Sequence, residues 1–183
     1  MKRILSKIIF WLIGWEAIGD FNYPKKCVVI AAPHTSNWDF LIGRCYGYIA
    51  GIQAKYLIKS SFFIPVLGTL FRWNGGIPVY RNSKNNLVDQ IVERFQHTDN
   101  LIIGIAPEGT RSRVEKWKTG FYHIAYKAKV PILLLGVDFK HKKIGVINTM
   151  NPTGDKDKDM LFIQDQFKDL SGKIPENYNP KIR

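Results

Sequence analysis

His34 follows directly on an apolar run, and Asp39 comes five residues later in the segment Ala-Pro-His34-Thr-Ser-Asn-Trp-Asp39. Imidazole is the side chain best matched to general-base work near neutral pH. A carboxylate beside it can hold its tautomer and stabilise the imidazolium. Five positions on a regular helix lie about 140° apart. The two side chains therefore meet only if His34 sits on the turn before a helix and Asp39 in its first turn. Thr35, Ser36 and Asn37 are residue types that start helices, which makes that placement plausible. A capping Asp beside a surface His gives the same letters, so the pair alone defines no reaction.

A second cluster reads Pro107-Glu108-Gly109-Thr110-Arg111-Ser112-Arg113. Gly109 permits close backbone approach, Thr110 and Ser112 supply hydroxyls, and Arg111 offers a planar fork for phosphate oxygens. Glu108 repels phosphate; it suits a hydrogen bond to a substrate hydroxyl or a hold on Arg81 or Arg111. A solvated turn is the competing reading. Arg81 closes a third segment, Gly75-Gly76-Ile-Pro-Val-Tyr-Arg81. Arg81, Arg111 and Arg113 are expected to line one site. No phosphate-loop, dinucleotide, zinc-protease or serine-nucleophile motif is present, and no metal is expected. His97, His123 and His141 stand alone and read as structural or exposed.

These loops need elements to carry them. Apolar runs at 27–32, 54–59, 77–80, 101–106 and 131–138 read as buried strands. Amphipathic stretches at 38–50, 62–73, 83–97, 121–129 and 160–170 read as helices, with Pro65 in a first turn and Ser83 as a cap. Residues 143–148 are expected to pair with 131–138 as a hairpin. The tail 171–183 is expected to be loosely ordered. Strands alternating with helices imply an α/β single layered domain, with a mostly parallel or mixed central sheet flanked by helices. In such sheets the loops after the strands build the site, and all three clusters are loops of that kind.

The amino terminus places Ile4, Ile8, Trp11, Leu12 and Trp15 at helical spacing, with Lys2, Arg3 and Lys7 nearby. It is too short to span a bilayer and lacks a cleavage site. An amphipathic helix lying on a membrane is expected, with those three cations and Trp11 and Trp15 at the headgroups. Residues 1–22 form that anchor and 23–183 the catalytic domain. A terminal helix packed on the protein's own core is the alternative. The 183 residues carry a net charge of +12, a surface that attracts polyanions, whether nucleic acid or anionic lipid. Cys27 and Cys45 are too few for a disulfide framework and read as free thiols in a reducing compartment.

The order and spacing of His34-x4-Asp39, Gly76-Ile-Pro-Val-Tyr-Arg81, Pro107-Glu-Gly-Thr-Arg-Ser112 and Val130-Pro131-Ile132 resemble the glycerolipid acyltransferases, the lysophosphatidic acid acyltransferases and their relatives. Pro33 stands where that family usually has Asn, and Leu134 where it has a second proline. The resemblance implies acyl transfer from an acyl thioester (acyl-CoA or acyl-carrier protein, as co-substrate) to a lysophospholipid hydroxyl, with no cofactor. It implies His34 as general base with Asp39 as partner. Arg81, Glu108, Gly109, Thr110 and Arg111 would hold the acceptor, and Val130-Pro131-Ile132 would be a structural strand near the acyl-chain channel. The expected partners are the acceptor, the acyl donor and a phospholipid surface on its cytoplasmic face, and not nucleic acid. A nucleic-acid module would explain the charge and the aromatics, but not His34, Asp39 or Glu108. A silent lipid-binding relative would have no need of the His34–Asp39 pair.

Overall fold

Seven strands form one mixed sheet in the order β1-β7-β6-β2-β5-β3-β4. A computed structural model describes residues 1–80 and 86–181. The strands are β1 (Glu16–Ile18), β2 (Lys26–Ala32), β3 (Lys55–Lys59), β4 (Gly76–Val79), β5 (Leu101–Ile105), β6 (Ile132–Asp138) and β7 (Lys143–Met150). The helices are α1 (Lys2–Ile13), α2 (Asn37–Ala50), α3 (Pro65–Trp73), α4 (Leu87–Gln96), α5 (Gly120–Ala128) and α6 (Lys156–Phe167). All neighbouring strands are parallel except β6 and β7, which form the expected hairpin pair.

The central strand β2 shows why this sheet is covered on both faces. Cys27 and Val29 point to one side, with Ile42, Tyr46 and Ile49 of α2 and Phe10 of α1. Val28, Ile30 and Ala32 point to the other, with side chains of α4, α5 and α6. Period-two alternation with apolar residues at every position is the signature of such a strand. α2 starts at Asn37, one residue earlier than expected, with Ser36 as its cap, and Pro65 opens α3. Asn86 caps α4; the expected cap Ser83 lies outside the described residues.

Several expectations are corrected by the structure. The amino-terminal helix is shorter than residues 1–22, because α1 ends at Gly14 and Glu16–Ile18 then pairs in parallel with β7. A side chain at Gly145 would collide with the Ile18 carbonyl, so this close approach requires glycine there. Trp15 does not face outward with Trp11; it packs edge-on against Phe139 and beside Phe10. The last helix starts earlier, at Lys156, where the Asp155 carboxylate accepts the Lys158 N–H as a cap.

The tail 171–181 is packed rather than loose. Tyr178 and Asn179 are buried. The Tyr178 hydroxyl donates to the Phe167 carbonyl (2.9 Å), and the Asn179 amide donates to the Val114 carbonyl (2.9 Å). Prolines in the tail removed donors from the sequence pattern, but these side chains supply the anchoring.

The cysteines are unpaired, Cys27 buried and Cys45 half-buried. Burial pushes the Cys27 thiol up to about 12, and a thiol that stays protonated is unreactive. Iodoacetamide at pH 8 is therefore expected to modify Cys27 only after unfolding. Mass spectrometry of native and denatured samples checks this.

Candidate active site

His34 stands on the turn between β2 and α2, as the spacing required. Its Nδ1 lies 3.2 Å from the Asp39 Oδ2. That carboxylate is buried and fully engaged. It accepts N–H bonds from Thr35 (2.6 Å) and Ser36 (2.7 Å) on Oδ2, and the Ser36 hydroxyl (2.9 Å) on Oδ1. The Ser36 hydroxyl in turn accepts the Trp38 N–H, closing a capping box at the start of α2. Burial raises the Asp39 carboxyl, but the bonds from His34 and Ser36 and the charge of His34 outweigh it, so the group lies below its ordinary value. A carboxylate at Nδ1 fixes the ring orientation and favours the tautomer with its hydrogen on that nitrogen. The His34 side chain is 26% exposed, open enough to be reached.

Glu108 joins the second cluster to this turn. It is 3% exposed, and its Oε1 accepts the backbone N–H of His34 at 2.8 Å. Burial raises its carboxyl, partly offset by that bond. Oε2 is buried and has no partner among the described residues. The structure thus places Glu108 behind the His34 turn, bonded to its backbone. It makes no hydrogen bond to Arg111, which instead donates to the Asn37 side chain at the start of α2. Thr110 and Arg111 are exposed beside that helix start. Gly109 has φ +68°, and a Cβ there would meet the Lys118 side chain, so glycine suits both the turn and the space.

Arg81 lies outside the described residues. Arg113 does not line the site: its guanidinium donates to the carbonyls of Tyr178 (2.7 Å) and Glu176 (3.4 Å), tying down the tail. Val130-Pro131-Ile132 lies at the start of β6, where Ile132 pairs with Val28. That is the opposite edge of the sheet from the His34 turn, about 13 Å from the end of β2 at Ala32 at the usual strand rise. It is a structural strand start, away from the site. His141 is not isolated, since its Nδ1 sits 2.5 Å from Asp138 in the β6–β7 turn.

Sequence reasoning missed the tail's part. The Ile174 N–H donates to the buried Thr35 hydroxyl (3.2 Å), and Gly172 packs on the Thr35 side chain. Lys173 places its ammonium 4.5 Å from the Trp38 ring, bringing one more cation to the rim. Only the tail's aromatic Tyr178 signalled packing.

The fold and site together define an α/β protein whose reactive groups, a His–Asp pair facing a hydroxyl- and guanidinium-bearing loop, lie at the carboxyl edge of its parallel strands. Residues 16–137 match the sequence model of the acyltransferase family, and the chain belongs to that family. It is 26% identical to the 1-acyl-sn-glycerol-3-phosphate acyltransferase of Saccharomyces cerevisiae, with 91% of this chain and 62% of the yeast protein covered. It is 36% identical to the Haemophilus influenzae protein of the same name over 48% of this chain and 39% of that one. The chain thus spans about 39% to 62% of these relatives' length. Among solved structures it shares its fold with the LPA acyltransferase PlsC of Thermotoga maritima, at TM-score 0.60 and 17% identity, covering 91% of this chain and 75% of that one.

A carboxylate held below its unfolded value stabilises the fold above that value, and this contribution is lost as pH falls through the lowered one. Asp39 has an ordinary value of 3.8. Glu108, raised by burial, acts in the opposite sense and loses stability as pH rises above 4.5. Asp39→Asn is therefore expected to flatten the decline in stability below about pH 4, measured by urea unfolding at pH 3 and 7. Glu108→Ala leaves the His34 N–H unpaired and is expected to cost about 1–3 kcal/mol, with Glu108→Gln costing less. The same unfolding curves test both.

Proposed function

We propose that this chain transfers a fatty acyl group from acyl-CoA or acyl-carrier protein to the free hydroxyl of a lysophospholipid, with 1-acyl-sn-glycerol-3-phosphate converted to phosphatidic acid as the preferred case. The observation that carries it is the His34–Asp39 pair, with Nδ1 against the Asp39 carboxylate and the imidazole 26% exposed. His34 Nε2 takes the proton of the acceptor hydroxyl as its oxygen attacks the thioester carbonyl. The C–S bond breaks, and the leaving thiolate takes that proton back. Base, orientation and charge stabilisation suffice, and no metal, cofactor or covalent enzyme intermediate is needed. Thr110, Arg111 and the Gly109 backbone hold the acceptor phosphate, with Arg81 assigned to the same task by the family resemblance. Glu108 fixes the turn that carries the base. The names borne by the relatives support this acceptor.

Among the described residues no helix is long and apolar enough to cross a membrane. The acceptor is a lipid, and α1 supports surface binding: Ile4, Leu5, Ile8, Trp11 and Leu12 are exposed, Trp11 by 80%. Trp38 and Leu41, on the first turns of α2 beside His34, are exposed too. We place this face on the cytoplasmic leaflet, a reading the free thiols favour.

With detergent-dispersed lysophosphatidate and an acyl-CoA, the protein is expected to release free thiol. His34→Ala is expected to lower that rate by about 10²–10⁴. Equal release by the mutant would remove the mechanism. Replacing Ile8 and Trp11 with Glu is expected to move the protein from vesicles to supernatant on flotation, and unchanged flotation would place the anchor elsewhere.

A further inference from the structure

A cavity of about 390 Å³ lies between the start of α1, the second half of α2 and the loop joining α3 to β4. Lys55 opens β3 and Gly75 precedes β4, so the cavity sits at the amino edge of the sheet, opposite His34. Four cations line it, Lys2, Arg3, Arg44 and Lys55, and no carboxylate does. Among the described residues none of the four forms an ion pair with an Asp or Glu. Arg44 is held in place from three sides: it donates to the Ala54 carbonyl (3.1 Å), the Tyr48 hydroxyl (3.1 Å) and the Asn74 side chain (3.0 Å). The Lys2 ammonium lies 4.6 Å from the Trp73 ring centre and 5.3 Å from that of Tyr48.

Like charges gathered around one concavity repel each other unless an anion joins them. A guanidinium fixed by neutral partners, with ammonium groups around it, is a receptor for phosphate oxygens. Aromatic rings at the rim suit the boundary between headgroup and acyl chain. Trp73 is 73% exposed, and it continues into the apolar face of α3, where Val66 and Leu70 are also exposed. We propose that this cavity is a second anion site, separate from the acceptor site, that takes the phosphate of an anionic phospholipid headgroup. It would hold α1 and the α3 end to the same bilayer surface.

The test uses the full chain without acyl donor, so its result does not depend on the acyltransferase reading. Vesicles of phosphatidylcholine, with and without phosphatidylglycerol, measure lipid binding by sedimentation. Inorganic phosphate measures soluble-anion binding by thermal shift. The exposed pair Arg3→Glu with Lys55→Glu is compared with a charge-matched pair away from the cavity, Lys116→Glu with Lys156→Glu. The cavity pair is expected to weaken binding to phosphatidylglycerol vesicles at least tenfold more than the control pair. A phosphate-induced shift that only the cavity pair removes, with no vesicle preference, would keep the site but assign it to a free phosphate. Equal losses for both pairs, or no loss for either, would overturn the proposal.

Discussion

One carboxylate, Asp39, does two things that the candidate site depends on. It terminates the amino end of α2, accepting two backbone N–H groups and the Ser36 hydroxyl, and it faces the imidazole of His34. A buried charge is tolerated only when its lone pairs are occupied, and here they are. The same bonds that keep it ionised fix its oxygens in space, so the position of the imidazole follows from a helix cap. Ordinary secondary-structure chemistry thus orients the imidazole.

That turn is braced from two distant parts of the chain. Glu108, at the end of β5, holds the His34 backbone, and the tail after α6 holds Thr35 through the Ile174 N–H. The tail is itself secured by Arg113, in the same loop as Glu108. β2 and β5 are neighbours in the sheet, so the His34 turn and the Glu108 loop emerge side by side. A sheet of parallel strands brings such loops together whatever their separation in sequence.

The cationic surplus divides in space. Arg111 and Lys173 are at the carboxyl edge with His34. Lys2, Arg3, Arg44 and Lys55 are at the amino edge, beside the exposed faces of α1 and α3. Charge beside the His34 turn and charge beside an apolar surface are physically separate.

Six of the seven strands, the order of the helices and the His34–Asp39 pairing were legible in the sequence. They rest on local rules: apolar runs, cap residues and the geometry of a helix's first turn. Single letters did not reveal the short strand Glu16–Ile18, whose pairing depends on β7 some 125 residues away. Nor did they separate Arg111 from Arg113, identical residues two positions apart, of which one faces α2 and the other binds the tail. Glu108 read as a contact to substrate or to an arginine, and became a brace only when β5 lay beside β2. The sequence by itself determined which reactive groups exist and that an α/β layer carries them. Tertiary structure alone decided which polar groups are buried and therefore structural, because burial and partnership depend on chain segments far apart in sequence.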